Sequence, residues 1–284
     1  MISTSETMSS YENYSVTSAH YDATRDAIGV EIVLGCLARS GRPLADQVLL
    51  DAGCGTGNYS RALIGHVARI EAVDMNEGML AVAAAKLGEP EKKGRIRFHR
   101  ASIEALPLDD ASIDGVTINQ VLHHLGDDAG AGWPVTRRVI AELARVLRPG
   151  GALVVNTCSH QQLRRGWWLY ALVEPVVERM VARFVPLAEL EALMAACGLE
   201  PVGRFVPSDA VVQGARYFDA RGPLDPSWRA GDSLWSMVSA GELESMETRL
   251  RDMDARGELD AFVAEHDADR LHVGQTTFLC ATRQ

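Results

Sequence analysis

The sequence predicts an α/β fold, a doubly wound and mostly parallel sheet with helical cap insertions. Three observations carry that prediction. Short apolar runs without polar alternation recur through the first half of the chain, as in strands buried on both faces. Helical stretches separate them, as parallel neighbours require. The first run leads straight into the glycine-rich turn "GCGTG".

The elements follow in order. From Tyr21 to Arg39 the residues Ile28, Ile32, Val33 and Leu37 fall at helical spacing, and "SGRP" ends the pattern. "QVLLDA", Gln47 to Ala52, is the first strand. A helical stretch from Asn58 to Val67 comes after the turn, then the strand "RIEAVD" ending at Asp74, then the helix "NEGMLAVAAAKL" with Asn76 as its N-cap. Strands "RIRFHRA" and "ASIDGVTINQVL", the amphipathic helix "RRVIAELARVL", a turn at "RPGG" and the strand "ALVVNT" continue the alternation. Right-handed crossovers between such strands build a doubly wound sheet.

Beyond that strand the rhythm changes. "QQLRRGWWLYALVEPVVERMVARF" reads as one long helical segment interrupted at Pro175, followed by the helix "LAELEALMAACG". "LEPVGRFV" and "HVGQTTFLCATRQ" read as the last two strands, with a stretch rich in Trp, Asp and Glu between them. The expected organisation is an N-terminal segment and lid helix (1–45), a cofactor-binding core (46–160), a helical cover (161–185), a return to the core (186–212), a helical cap insertion (213–270) and a final core strand (271–284).

Composition narrows the function. Apolar residues make up 47% and charged ones 23%, as in a folded globular protein. The net charge of −10 repels phosphate backbones, and the short pairs Arg137–Arg138 and Arg164–Arg165 do not offset that field, so no nucleic-acid partner is expected. Cys36, Cys54, Cys158, Cys197 and Cys280 are odd in number and widely spread, with no C-x-x-C pair, which indicates neither a disulfide framework nor a metal site. No long apolar segment and no basic-then-apolar start is present, so the expected location is cytoplasmic and no membrane partner is expected.

The turn carries the chemistry. Gly53, Gly55 and Gly57 stand at i, i+2 and i+4 behind a buried strand, where missing side chains let a ligand reach the main chain at the crevice of a doubly wound sheet. Asp74 ends the second strand, where a carboxylate accepts hydrogen bonds from ribose hydroxyls. Together they point to a nucleoside-containing cofactor. A dinucleotide site normally has G-x-G-x-x-G, but the third position is Asn58, and the acidic Asp51 before the turn repels a pyrophosphate while favouring a cationic amino-acid moiety.

On these residues the chain resembles the class I S-adenosylmethionine-dependent methyltransferases, whose first motif is acid-x-G-x-G-x-G. The resemblance runs over roughly Gln47 to Thr157 and returns in "FVPLAELEALMAACGLEPVGRF". Its motifs occur in order: "DAGCGTG", "EAVDMNEGML", "IEALPLDDASID", "NQVLHHL" and "LARVLRPGGALVV". It implies a Rossmann-like sheet and S-adenosylmethionine as cofactor, with S-adenosylhomocysteine as its product. Gly53 to Gly57 would contact the methionine part, Asp74 the ribose and Met75 one face of the adenine. Many relatives have an acid where Ser102 stands; its hydroxyl would take the adenine amino group, with Ile103 against the ring. Asn119, at the end of the fourth strand, is expected to contact the cofactor's amino acid. His123 and His124 match a common pattern of the family, and packing at the cofactor pocket competes with a catalytic role for both.

No residue stands out as a catalytic base. As in relatives, the N-terminal "ENYSVTSAHYDATR" is expected to fold over the cofactor, with Tyr14 or Tyr21 near the sulfonium and Arg25 near a carboxylate; helix packing is the rival account. Arg164, Trp167, Tyr170, Tyr217 and Trp235 are candidate substrate contacts, although tryptophans on helices commonly serve the core. Arg164, Arg216, Asp232 and Arg270 suit a small polar or zwitterionic substrate. The expected reaction is therefore methylation of a small metabolite, with sulfur or nitrogen of an amino-acid-like compound favoured, and with oxygen or carbon methylation of a natural-product intermediate as the alternative. A nicotinamide-dependent oxidoreductase and a cofactor-binding protein without transfer activity are the competing classes, and a homo-oligomer is compatible with the sequence.

Overall fold

A computed structural model describes residues 26–88, 94–207, 209–230 and 232–284. Tyr14, Tyr21 and Arg25 lie outside the described residues. Seven strands form one sheet in the order β3-β2-β1-β4-β5-β7-β6. These are β1 (Val48–Ala52), β2 (Arg69–Asp74), β3 (Ile96–Arg100), β4 (Ile113–Asn119), β5 (Leu147–Thr157), β6 (Leu199–Phe205) and β7 (Thr277–Arg283). The first five strands run parallel in register, and β7 is antiparallel to both β5 and β6. Apolar β1 and β4 are central and almost wholly buried, whereas β3 and β6, with polar positions in the run, take the two edges.

Helices cover both faces. On one side lie α1 (Val30–Leu37), α2 (Asn58–Leu63) and α3 (Glu77–Leu87), and on the other α4 (Pro134–Val146) and α7 (Leu187–Ala196). In α4 the residues Val139, Ile140, Leu143, Ala144 and Val146 form the buried stripe that a 3.6-residue period gives. Asn76 caps α3, its side chain accepting the Met79 N–H at 3.0 Å.

Above the strand ends sits a second apolar core. The cover contributes α5 (His160–Arg165), a 3-10 turn (Trp168–Leu172) and α6 (Glu174–Val181). The cap contributes α8 (Pro226–Arg229), α9 (Ala240–Ala255), α10 (Leu259–Asp267) and α11 (Arg270–Val273). Trp168 and Tyr217 are fully buried where the two meet. All five cysteines are unbridged, and no described helix is long and apolar enough to cross a membrane.

Three local readings are corrected. Within the described residues the first helix begins at Val30, because Gly29 takes a left-handed φ of 63° and residues 26–29 are not helical. The "RPGG" turn is a bulge inside β5: Ile113 pairs with Leu147 and Gly115 with Ala152, so the residues between them bow out around Gly150 at φ 78°. The long helix is three pieces. It stops at Gly166, where a Cβ would lie 2.4 Å from the Gly274 carbonyl oxygen, and Pro175 sits in the first turn of α6, where its missing N–H costs nothing.

Candidate active site

Strand order reverses between β1 and β4, and a cleft opens beyond the C-terminal ends of those strands, as expected at a topological switch point. One wall is the glycine turn. Gly53 and Cys54 donate to the Val73 carbonyl at 2.8 and 2.9 Å, which folds the turn back over the end of β2. Asp74 fixes it there, one carboxylate oxygen accepting the Gly55 N–H and the other the Asn76 N–H, both at 2.8 Å. Burial raises the Asp74 carboxyl above its ordinary value, while the N–H groups of Asn76, Gly55 and Met75 oppose that shift.

The three glycines have different tasks. All have positive φ, at 70°, 52° and 79° for Gly53, Gly55 and Gly57. A Cβ on Gly53 would strike the Val121 side chain at 2.6 Å, and one on Gly57 would press Leu87 and Ala83 of α3 at 3.0 and 3.2 Å. Only at Gly55, which lines the cleft, would a Cβ meet nothing within 4 Å. Gly57 does not line the cleft; it lets α3 approach the turn.

Asp51 lies beneath the turn, 2% exposed, with the Ser60 hydroxyl donating to it at 2.7 Å. Burial pushes its carboxyl up to about 6, Ser60 opposes, and Asp74 adds to the rise. Across the cleft, Asn119 donates to the Thr117 hydroxyl at 2.9 Å, while its own carbonyl oxygen is buried without a partner among the described residues. Bare backbone at Gly55, a buried carboxylate and an unfilled amide acceptor fit a cationic amino-acid end such as that of S-adenosylmethionine. When bound, that cofactor supplies an electrophilic methyl group on a cationic sulfur.

The floor of the cleft is a network the sequence reading missed. Tyr59 donates to the Ile28 carbonyl at 2.8 Å and accepts from Asn156 at 2.9 Å. The Gln120 amide donates to Thr276 at 2.8 Å and Asn156 at 3.2 Å. Gln120 itself has a left-handed φ of 55° at the β4 exit, and the polar ends of "TINQ" and "VVNT" are the only sequence signals of this floor.

The far wall comes from the cover. His123 is buried and stacks on Phe184 with ring centroids 4.3 Å apart, and the His124 ring lies 4.0 Å from it; both histidines line the cleft. Trp167 and Tyr170 stack in parallel at 5.1 Å and also line it, as does Asp232. Other expected contacts lie elsewhere. Arg164 forms a two-point pair with Glu178 on the surface, and Arg270 pairs with Asp267. Tyr217 is sealed in the second core, Trp235 packs edge-on against Trp228, and Arg216 is not in the cleft wall. On the cofactor side, Ser102 Oγ accepts the Glu104 N–H at 3.1 Å, Ile103 is in the core beside β4, and Met75 stays 38% exposed, leaving its thioether open to a ligand.

Comparison with known proteins agrees with this geometry. Residues 50–155 match the family described as a methyltransferase domain. A demethylmenaquinone methyltransferase of Clavibacter sepedonicus is 33% identical over 172 residues, covering 58% of this chain and 66% of that protein. The match thus spans less than two thirds of the relative's own length. Among solved structures, an Anabaena variabilis protein described as a methyltransferase from an antibiotic biosynthesis pathway superposes with a TM-score of 0.67 at 23% identity, over 89% of this chain and 97% of that one. The [4+2]-cyclase SpnF superposes with a TM-score of 0.57 at 20% identity, over 95% and 94%. At those identities the superpositions establish the fold alone. With the glycine turn and Asp74 at the strand ends, residues 50–155 form a methyltransferase domain of the class I S-adenosylmethionine-dependent type.

Proposed function

We propose that the protein transfers a methyl group from S-adenosylmethionine to a small neutral molecule with a flat, apolar body. The observation that carries the reading is the division of one cleft into two kinds of wall. Asp51, Gly55 and Asn119 form a polar end suited to the cofactor, and Leu163, Trp167, Tyr170, Met180 and Phe184 form an apolar end suited to the substrate.

The residues act mainly by positioning. Enclosure by the cover excludes water and holds the nucleophile in line with the methyl carbon, which is where such a reaction gains most. An oxygen nucleophile must also lose its proton, and His124, which lines the cleft, is the candidate to accept it. The relatives' names agree with oxygen or carbon methylation: they include a demethylmenaquinone methyltransferase and a malonyl-[acyl-carrier protein] O-methyltransferase.

Sulfur or nitrogen of an amino-acid-like compound is the second reading. The acids Asp26 and Asp232 in the cleft wall suit an ammonium group and favour it. Against it, the described residues of the wall include no Arg or Lys to receive a carboxylate. The proposal includes a cytoplasmic location and a small-molecule partner only.

Calorimetric titration with S-adenosylmethionine and S-adenosylhomocysteine, followed by mass spectrometry of a panel of phenols, enols, thiols and amines incubated with protein and cofactor, tests the reading. Binding of both cofactor forms and methylation confined to phenols or enols is the expected result. Methylation confined to amino acids would install the second reading, and stabilisation by a dinucleotide alone would remove the first two.

A further inference from the structure

Five tryptophans occupy the chain, and their indole N–H groups divide sharply. Trp133 donates to Glu189 at 2.8 Å, Trp168 to the Tyr217 carbonyl at 2.9 Å and Trp228 to the Arg216 carbonyl at 2.8 Å. Trp167 and Trp235 have buried N–H groups with no partner among the described residues. Trp235 is not among the residues of the cleft wall, but Trp167 is part of it and is 5% exposed. A buried donor left unmatched is costly and rare, so its presence in a binding wall calls for a partner brought by the ligand.

We propose that the Trp167 indole N–H is the specificity-determining donor for the substrate, and that the substrate carries a neutral carbonyl oxygen on a flat conjugated body. The inference deepens the methyltransferase reading and rests on it. Indole is a donor only, so the matching group must accept. Charge selects among acceptors: Asp26, Asp51 and Asp232 are the ionisable carboxylates of the wall, and the described wall has no Arg or Lys, so a carboxylate or phosphate meets repulsion where a neutral carbonyl does not. Shape selects among carbonyls. The parallel Trp167–Tyr170 pair, 8° apart in plane, with Leu163 and Met180 beside it, offers a flat apolar surface that conjugated rings fill at low entropic cost. The neighbouring Trp168, identical in type, is spent on holding Tyr217, so the "WW" doublet has one structural and one ligand-facing member.

The test uses the full-length protein saturated with S-adenosylhomocysteine and two phenols of the same outline, para-hydroxyacetophenone and para-ethylphenol, which differ by a carbonyl in place of a methylene. The wild-type complex is expected to bind the ketone about tenfold more tightly, the range of one buried hydrogen bond. Trp167→Phe keeps an aromatic ring and removes the donor. It should bring the two phenols to parity while leaving S-adenosylhomocysteine affinity unchanged, and a single cooperative thermal transition certifies the fold. The C=O stretch of the bound ketone, measured by isotope-edited infrared spectroscopy, should lie at lower frequency in wild type than in solution, independently of any variant. Equal binding of the phenols by wild type, undiminished discrimination in Trp167→Phe, an unshifted carbonyl stretch, or binding of neither phenol by the loaded protein overturns the inference. Failure of S-adenosylhomocysteine itself to bind overturns the methyltransferase reading instead, and the two failures are told apart at the first titration.

Discussion

The Asp74 carboxylate accepts the Gly55 N–H at 2.8 Å, joining the end of β2 to the glycine turn after β1. One bond thus couples the expected ribose contact to the backbone that lines the polar end of the cleft. Each carboxylate oxygen takes one backbone N–H and retains a lone pair for a ligand. Replacing Asp74 with Asn removes the charge and half the accepting capacity. S-adenosylhomocysteine affinity should fall by about 10- to 100-fold, as for loss of charged hydrogen bonds. Calorimetry reads this directly, and a dissociation constant within twofold of wild type would detach Asp74 from the cofactor.

Asp51 is expected to make cofactor binding pH-dependent. Its carboxyl is pushed up to about 6 by burial against the Ser60 hydroxyl's opposing bond, from an ordinary value of 3.8. The folded protein therefore holds this proton more tightly than the unfolded chain, and ionising Asp51 costs stability as the pH rises from about 4 to about 6. A cationic ligand reverses that cost because it favours the carboxylate. Affinity for S-adenosylmethionine should be flat above neutrality and fall by up to about tenfold per unit as the pH drops below 6. Titrations across that window with Asp51→Asn should show a weaker and pH-independent affinity; a persistent slope would assign the titration to another group.

The succession of strands along the chain and the turn could be read from the sequence because they depend on local pattern: apolar runs at "VLLDA" and "ALVVNT", and glycines where φ is positive. The cleft floor could not, because Tyr59, Asn156 and Thr276 meet only after α2, β5 and the approach to β7 are assembled. Charge was the least legible feature. Arg164 and Arg270 look like binding groups in a list of cap residues, yet Glu178 and Asp267 claim them, and such pairings form between separate turns that no spacing rule specifies. Gly57 was legible as a glycine but not by role, since the Cβ it must lack would collide with α3, a helix twenty residues further on.

Gly55 and Gly57 should separate binding from stability. Gly57→Ala meets both a left-handed backbone and the side chains of Ala83 and Leu87, so it should cost about 2–4 kcal/mol. Gly55→Ala has the same backbone penalty, about 1–2 kcal/mol, but no neighbour within 4 Å. Its methyl enters the space beside the cleft and should weaken S-adenosylhomocysteine by about tenfold or more. Urea unfolding and calorimetry on both variants should give opposite rankings, and equal losses of affinity would place Gly57 on the ligand as well.

Tyr217 belongs to the joint between cover and cap. Its hydroxyl donates to Asp267 and accepts the Trp168 N–H at 3.2 Å, while Arg270 binds the same carboxylate and lies over the Tyr217 ring, 5.6 Å from its centroid. Burial drives the phenol well above its usual range and Asp267 adds to the rise, so it remains a donor across any pH at which the protein folds. Tyr217→Phe strands the buried Trp168 N–H and leaves Asp267 to Arg270 alone. Stability should drop by about 2 kcal/mol, the cost of one unmatched buried donor and a lost bond to a charged group. Because Tyr217 does not line the cleft, S-adenosylhomocysteine affinity should stay within twofold of wild type. The urea midpoint should fall without a change in slope; unchanged stability with a weakened ligand would move Tyr217 from the joint into the binding site.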